Sequence, residues 1–156
     1  MPPFIASDAA DGVAAPGQFL RVPASVAVVS ADQSADLVFE RDAELVGGDL
    51  TVVAGDFGVV GGRDNLRQAL RHRLGTEAGE LMFHPSYGSR IRSLIGAING
   101  PTAGLLAAAY ARSAVLEDPR ISRVNTAKAQ VVGDSITVTA EAVPIVGKAV
   151  DVSATA

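Results

Sequence analysis

Hydrophobic and polar positions divide the chain into three stretches with different periodicities. Residues 1–35 contain four prolines and little sustained periodicity apart from the short apolar run 26–29. Residues 36–61 contain short apolar runs between acidic and glycine-rich turns, which predicts short strands joined by hairpins. Residues 62–156 show helical and then alternating patterns. We therefore predict an extended arm (1–35), short strands and hairpins (36–61) and an α+β domain (62–156).

The second stretch holds four apolar runs, at 37–39, 45–46, 50–53 and 57–60. Each is short enough to be a strand, and the glycine pair at 61–62 follows them as a hinge. No internal repeat is apparent in this stretch or elsewhere. We therefore expect short strands joined by hairpins ahead of the main domain.

Helical spacing of apolar residues predicts three helices in the third stretch, at 64–75, 89–98 and 101–117. Asp64 and Ser89 are expected to cap the first two helices, and Pro119 ends the third. The apolar side of the third helix is expected to carry Leu105, Leu106, Ala109, Tyr110 and Ser113. Between the first two helices we expect a brief extended piece at 81–83 and a turn at 85–88.

Alternating residues predict three strands between Ile121 and Ala156, with a turn at Gly133-Asp134 between the first two. The clearest strand places four apolar residues on one face, namely Ile136, Val138, Ala140 and Ala142. Pro144 and Gly147 interrupt the last strand, which indicates an edge strand or a strand that leaves the domain. An edge would be open to strand addition by a partner. The fold prediction is three helices packed on a small, mainly antiparallel sheet, preceded by the arm and the short strands.

Composition excludes several kinds of chemistry. The 156 residues contain no cysteine, which excludes disulfides, cysteine-ligated zinc and thiol catalysis, and the two histidines lack metal-binding spacing. Aromatic residues make up 4% and tryptophan is missing, so an aromatic-lined sugar or base pocket is not expected. No apolar run approaches the roughly 18 residues that cross a bilayer. We predict no metal, no cofactor, and neither a nucleic-acid nor a membrane partner.

The net charge of −4 is unevenly distributed along the chain. Residues 1–62 hold nine acids and two bases, whereas residues 63–123 hold nine bases and five acids. All bases of the middle block are arginines, whose planar guanidinium suits fixed pairing with carboxylates. A solvated basic helix face explains the block equally well.

Two charged clusters are candidate sites. Glu77 and Glu80 are a potential glycosidase pair, but such carboxylates must face one bond across about 5–9.5 Å, and spacing alone does not supply that geometry. A structural or partner-pairing role explains them more simply. The second cluster is the acid-Pro-Arg corner, which comprises Glu117, Asp118, Pro119 and Arg120. Acids at a helix C-terminus oppose the macrodipole, so we expect a local arginine partner, in an internal turn or at a contact with another protein.

The order of motifs over residues 62–152 resembles a known family. The motifs are Asp64-Asn65-Leu66, Gln68-Ala69-Leu70, Arg73-Leu74, Thr76, Gly79-Glu80, Pro85, Tyr87-Gly88-Ser89 and Asp118-Pro119-Arg120-Ile121. Together they resemble the baseplate wedge protein of contractile phage tails. The same family includes the lysozyme-like baseplate component of type VI secretion systems and related contractile injection systems. Asp118 stands where the family usually has Glu, and Glu117 precedes it, so either acid is a candidate for the family role.

This resemblance implies a structural, non-enzymatic component of a virion tail baseplate or an equivalent injection particle. It implies assembly in the host cytoplasm, in six copies or a multiple per baseplate. The corner is expected to contact the larger wedge proteins, and the sheet is expected to accept strands of the tail sheath subunit; central hub or spike proteins are further expected partners. The residues expected to receive sheath strands are Ile136, Val138, Val146 and Val150, and those of a structural turn are Gly79, Glu80, Tyr87 and Gly88.

Two alternative functions remain open. One is a peptidoglycan-cleaving, lysozyme-like hydrolase that uses Glu77 and Glu80. The other is a hub or tube-initiator component of the same machine, which the strand-rich start of the chain favours. The acid-Pro-Arg corner after the Gln-Ala-Leu helix argues against the second alternative.

Overall fold

A computed structural model describes residues 37–97 and 100–156. The predicted arm, and Ile98 in the second predicted helix, lie outside the described residues. The strands are β1 (Arg41–Ala43), β2 (Leu45–Val46), β3 (Asp49–Leu50), β4 (Val52–Val53), β5 (Asp56–Phe57), β6 (Val59–Gly61), β7 (Ile121–Val132), β8 (Ser135–Pro144) and β9 (Val150–Thr155). The helices are α1 (Gly62–Gly75), a 3-10 helix (Arg92–Leu94) and α2 (Pro101–Leu116). The α+β class is confirmed.

The three C-terminal strands form one antiparallel sheet in the order β7-β8-β9. A two-residue turn at Gly133-Asp134 joins β7 to β8, as alternation predicted. The four apolar residues predicted to share one face of β8 are all buried. Together with Val150 and Val152 of β9 they form the inner face of the sheet, against which α1 and α2 pack.

Helix α2 confirms only part of its predicted apolar side: Leu106 and Tyr110 are half-buried and pack against the core, whereas Leu105, Ala109 and Ser113 are exposed. The buried residues of α2 are Ala103, Ala107, Ala111, Ala114 and Val115, whereas Leu105 is 74% exposed. Alanine side chains allow a closer approach of helix and sheet than leucines do, because contact distance depends on side-chain size. A Cβ atom added at Gly104 would make an ordinary contact with the Ala129 carbonyl oxygen, at 3.6 Å. The buried side of α2 is therefore the one with the smaller side chains.

Two predicted helices begin or end elsewhere. Helix α1 starts at Gly62 without a side-chain cap; Asp64 lies in its first turn and pairs with Arg67. The second predicted helix is reduced to one 3-10 turn, because the backbone becomes extended at Ile95 and Gly96 has a φ of +73°. The apolar residues of that turn, Ile91 and Leu94, are buried as their spacing suggested.

Three local predictions are wrong. Residues 37–39 are helical and not a strand, and Phe39 is fully buried. Residues 81–83 form bends and turns in place of an extended piece. Ser89 caps no helix, because its hydroxyl donates to the Leu74 carbonyl oxygen at 2.8 Å and so ties the segment after α1 back to that helix.

The short strands form a ring built on an internal repeat, so the prediction that the chain contains no repeat is wrong. Residues 44–50, 51–57 and 58–64 read ELVGGDL, TVVAGDF and GVVGGRD, a repeat of seven residues. The strand pairs are β1 with β6, β2 with β3 and β4 with β5, all antiparallel. We call residues 41–61 the three-ladder ring.

Main-chain hydrogen bonds close the centre of the three-ladder ring. The first residues of the three repeats are Glu44, Thr51 and Gly58. Glu44 N–H donates to the Gly58 carbonyl (2.8 Å), Thr51 N–H to that of Glu44 (3.1 Å) and Gly58 N–H to that of Thr51 (2.8 Å). The Gln68 side chain of α1 joins the ring by donating to Ala43 O and accepting from Leu45 N. The ring therefore rests on these backbone bonds, on Gln68 and on the hydrogen bond from the Thr51 hydroxyl to the Glu44 carboxylate at 2.9 Å.

Candidate functional site

The hydrogen-bonding pattern of the sheet determines which backbone groups are open to a partner. Ile136 and Ala156 exchange N–H and carbonyl bonds at 3.0 and 2.9 Å. In an antiparallel ladder bonded and non-bonded pairs alternate, so even-numbered residues of β8 bond towards β9 and odd-numbered ones bond towards β7. β8 is therefore paired on both sides, and the outer strands each present alternate residues to the outside.

The four residues predicted to receive sheath strands have different positions in this pattern. Ile136 and Val138 lie in the central strand β8, whose backbone cannot pair with an additional strand. Val146 lies in a bend between β8 and β9, outside any strand. Val150 begins β9, which is an edge strand. A strand added to this sheet must therefore pair with β9 or with β7.

The free side of β9 is polar. By the alternation above, the outward N–H and carbonyl groups belong to Asp151, Ser153 and Thr155, and no described residue bonds to them. Their side chains lie on the sheet face opposite the buried Val150 and Val152. These three alternate residues present enough free N–H and carbonyl groups to pair with one further short strand.

The acid-Pro-Arg corner contains a rigid ion pair. Arg120 donates to Asp118 Oδ1 through Nε (2.9 Å) and its backbone N–H (3.0 Å), and to Oδ2 through a terminal nitrogen at 2.8 Å. The Asp118 side chain is only 6% exposed and that of Arg120 is 26% exposed. This is the local arginine partner that the sequence predicted. Of the two acids, Asp118 is the one that pairs with the arginine after the proline.

Electrostatics favour the ionised form of Asp118. Burial alone would raise the pKa of its carboxyl. The hydrogen bonds from the side chain and backbone of Arg120, together with the charges of Arg120 and Arg73, outweigh burial and lower the pKa below its ordinary value of 3.8. Asp118 is therefore ionised and paired with Arg120 at neutral pH.

A second group of side chains surrounds the corner and is more accessible. Glu117 is exposed and accepts from Arg73 at 3.3 Å, and the Arg73 guanidinium lies 4.5 Å from the centre of the Tyr87 ring. Pro119 is exposed beside them. The sequence analysis identified Glu117, Pro119 and Tyr87 as candidate residues. It did not identify Arg73, which contacts both Glu117 and Tyr87, because Arg73 is 44 positions from Glu117 in the chain.

The predicted structural turn is held by a glutamate side chain and by close backbone packing. Gly79 has a φ of +92°, and Glu80 Oε2 accepts from the Glu77 N–H at 2.9 Å. Gly88 is buried with a φ of +112°, and a Cβ atom there would stand 2.6 Å from the Thr76 carbonyl oxygen. Only glycine fits at position 88. The adjacent cavity of about 400 Å³ is lined by Ala78 and Tyr110 but by neither glutamate of the proposed catalytic pair.

Neither a metal-binding cluster nor a membrane-spanning helix is found within residues 37–97 and 100–156. Within these ranges no group of three or more histidines and acids is placed to hold a metal ion. No helix in the same ranges is long and apolar enough to cross a bilayer.

Comparison with known proteins identifies one family and one similar fold. A family model described as contractile injection system sheath initiator matches residues 32–147, which is most of the chain. No curated protein matches the sequence. The chain is similar to a crystal structure named as a candidate tail lysozyme from Geobacter sulfurreducens, with a TM-score of 0.51 and 18% identity over 60% of this chain and 87% of that one. At this identity the likeness shows the fold alone.

Proposed function

The chain belongs to the contractile injection system sheath initiator family, and from that premise we propose that it is a baseplate wedge component that joins the wedge core to the first ring of sheath subunits. The family is a structural one, located in the tail and its baseplate and interacting with sheath and baseplate components. The finer proposals are strand addition to the sheet, docking of the corner on the larger wedge proteins, six copies or a multiple per baseplate, contact with hub or spike proteins, and assembly in the host cytoplasm.

The observation that carries the sheath proposal is the open side of β9. An extended sheath segment would pair with Asp151, Ser153 and Thr155 and extend the sheet beyond the strand that begins at Val150. Main-chain bonds of an added strand must break together under shear, whereas each exposed ion pair contributes less than about 1 kcal/mol. Strand addition therefore suits a joint that must remain attached during contraction.

The corner is proposed as the wedge contact through its exposed members. Asp118 and Arg120 bond to each other and hold the backbone of the turn, which leaves Glu117, Pro119 and the edge of Tyr87 as the accessible surface. In this proposal Asp118 has the role that Glu usually has in the family, and it acts by positioning the turn. Arg120→Ala would leave the buried Asp118 carboxylate without its ion-pair partner and so destabilise the domain. This variant therefore cannot test docking alone.

The sheath proposal is tested by blocking the β9 edge. Ser153→Pro removes an outward N–H without removing a bond to β8, and Ser153→Ala is the matched control that keeps the N–H. We expect the proline variant to fold, to enter baseplates and to leave them without sheath in electron micrographs. The alanine variant should give sheathed particles. Full-length sheaths on Ser153→Pro baseplates, with the variant present, would overturn strand addition at this edge.

The docking proposal is tested by reversing an exposed charge. Glu117→Lys should reduce co-purification with the wedge proteins by at least about tenfold while the unfolding midpoint changes little, because exposed ion pairs contribute little to stability. Asp134→Lys, at the β7-β8 turn, is the matched control. Equal co-purification of both variants with the wedge proteins would contradict docking at the corner.

The competing candidate is the peptidoglycan hydrolase that uses Glu77 and Glu80. The bond from the Glu77 N–H to the Glu80 carboxylate supports a structural use of this pair. Purified chain should leave the turbidity of a cell-wall suspension unchanged. Clearing that disappears in Glu80→Gln would replace our proposal with the hydrolase.

A further inference from the structure

A groove runs between α2 and the free side of β7, on the opposite edge of the sheet from β9. It has a volume of about 1000 Å³. Its helix side is formed by Pro101, Gly104, Leu105 and Ala108, and its strand side includes Ala129 and Val131. Leu105 is 74% exposed although it is a large apolar residue on a helix that otherwise buries alanines. The small side chains opposite it leave room for side chains of another segment.

The backbone of β7 determines the shape of that segment. Odd-numbered residues of β8 bond to even-numbered residues of β7, so Ala127, Ala129 and Val131 turn their N–H and carbonyl groups outward. No described residue bonds to these groups. Their spacing matches an extended strand. The side chains of the same three residues point to the inner, helix-covered face, so a paired strand would place every second side chain into the groove.

The positive charges on the exposed face of β7 determine which outward-facing side chains an added strand can carry. Lys128 and Arg123 lie on the exposed face of β7, and no described acid forms an ion pair with either. Residues of an added strand that face outward would lie beside Lys128, where an acid is favourable and a base is not. The β9 edge instead carries Asp151 on its exposed face. The two edges therefore differ in the charge that they favour.

We propose that the β7 edge is a second strand site, which takes an extended sheath segment in which apolar residues alternate with acidic ones. The apolar residues enter the groove beside Gly104 and Leu105, and the acids face Lys128. This inference rests on the proposed function for the source of the segment, but the selection rule is a property of the β7 edge itself.

The test uses two labelled synthetic peptides of about nine residues, one alternating valine with glutamate and one alternating valine with lysine. Fluorescence anisotropy with the full chain should show tighter binding of the glutamate peptide by about tenfold. Lys128→Glu should reverse that order. Gly104→Leu fills the groove and Leu105→Asp places a charge in it, so both should weaken binding of the glutamate peptide at least about fivefold, with the fold checked by circular dichroism.

Amide chemical shifts locate the bound peptide. We expect changes at Ala127, Ala129 and Val131 and none at Ser153. Equal binding of the two peptides, no binding of either, no reversal in Lys128→Glu, or shifts at β9 in place of β7 would each overturn the inference. If Ser153→Pro prevents sheath attachment while neither peptide binds, the inference fails and the proposed function stands. If the unaltered chain does not support sheath attachment, the proposed function fails, and peptide selection still tests the β7 edge.

Discussion

The three-ladder ring and the C-terminal sheet are both antiparallel, but they use their apolar residues in opposite ways. The sheet buries Val138, Ala140, Ala142, Val150 and Val152 under two helices. The ring exposes its apolar residues: Val46, Val52, Val53, Phe57 and Val59 are each at least 60% exposed. The ring has no core of its own and depends on its central hydrogen bonds, whereas the sheet has a core and leaves its edges open.

The two regions lack different things: the sheet lacks partners for its edge strands, and the ring lacks a hydrophobic core. A sheet with a full core and free edges is a rigid platform for another strand, since addition requires no rearrangement of its packing. A ring with exposed apolar residues and three two-stranded ladders is a weakly stabilised attachment, because isolated two-stranded ladders are marginal in water. We therefore expect substitutions in the sheet and its supporting turns to act globally, and those in the ring to act locally.

The largest effect is expected from Gly88, in the turn after α1, and Gly47 of the three-ladder ring provides the comparison, since both glycines have a positive φ. Gly88→Ala should reduce the free energy of unfolding by about 3–4 kcal/mol, because the new methyl group meets the Thr76 carbonyl in a backbone region closed to alanine. Gly47→Ala should cost about 1 kcal/mol, since a Cβ atom there meets nothing within 4 Å. Urea denaturation measures both.

The repeat supplies a natural control for the ring glycine. Ala54 occupies the position equivalent to Gly47 and has a φ of +52°, so the ring already accepts alanine there. Equal losses for Gly88→Ala and Gly47→Ala would contradict the distinction between a close-packed body and an open ring.

The second-largest effect is expected in the pH dependence of stability, through Asp118 of the acid-Pro-Arg corner. Because the pKa of Asp118 is lower in the folded chain than in the unfolded one, its stabilisation is present above about pH 4 and is lost as pH falls through the folded pKa. Asp118→Asn should cost about 2 kcal/mol at pH 7 and much less at pH 2.5. Urea titrations across this range measure the difference.

Asp49→Asn in the ring is the matched control for the pH experiment. Its carboxylate is exposed, so the substitution should change stability by less than about 0.5 kcal/mol at either pH. If the loss of unfolding free energy in Asp118→Asn were the same at pH 7 and pH 2.5, the ion pair with Arg120 would not contribute to the pH dependence of stability.

The smallest effect is expected at the junction of the two regions. Gln68→Ala removes two hydrogen bonds to the ring, at 2.8 and 2.9 Å, and should cost about 1 kcal/mol. Hydrogen exchange should accelerate across residues 41–61 and stay unchanged in β8. Uniform acceleration of both regions would mean that ring and sheet unfold as one unit.

The C-terminal sheet was the most predictable part of the fold. Alternation over residues 136–143 and the Gly133-Asp134 turn determine strand faces locally, so the buried face of β8 could be read from sequence. The buried face of α2 could not, because both sides of this alanine-rich helix carry apolar residues. The second predicted helix was shortened because the backbone becomes extended at Ile95, ahead of Gly96 with its positive φ, and the spacing of apolar residues does not reveal that change.

The candidate site was predictable in its chemistry and less so in its geometry. The pairing of Asp118 with Arg120 follows from their spacing around Pro119. The central position of β8, the strand that contains Ile136 and Val138, depends on strand order, which a single sequence does not specify. The three-ladder ring did have a sequence signal, a valine followed by Gly or Ala and then Gly at intervals of seven, which only a deliberate search for short repeats detects.

The most direct test of the central claim is residue-resolved hydrogen exchange of β9 before and after sheath attachment. Val150, Val152 and Ala154 bond to β8 and should exchange slowly in both states. If a sheath strand adds to this edge, exchange at Asp151, Ser153 and Thr155 should slow by at least about a hundredfold on attachment. Unchanged exchange at these three amides in sheathed particles would contradict strand addition to β9.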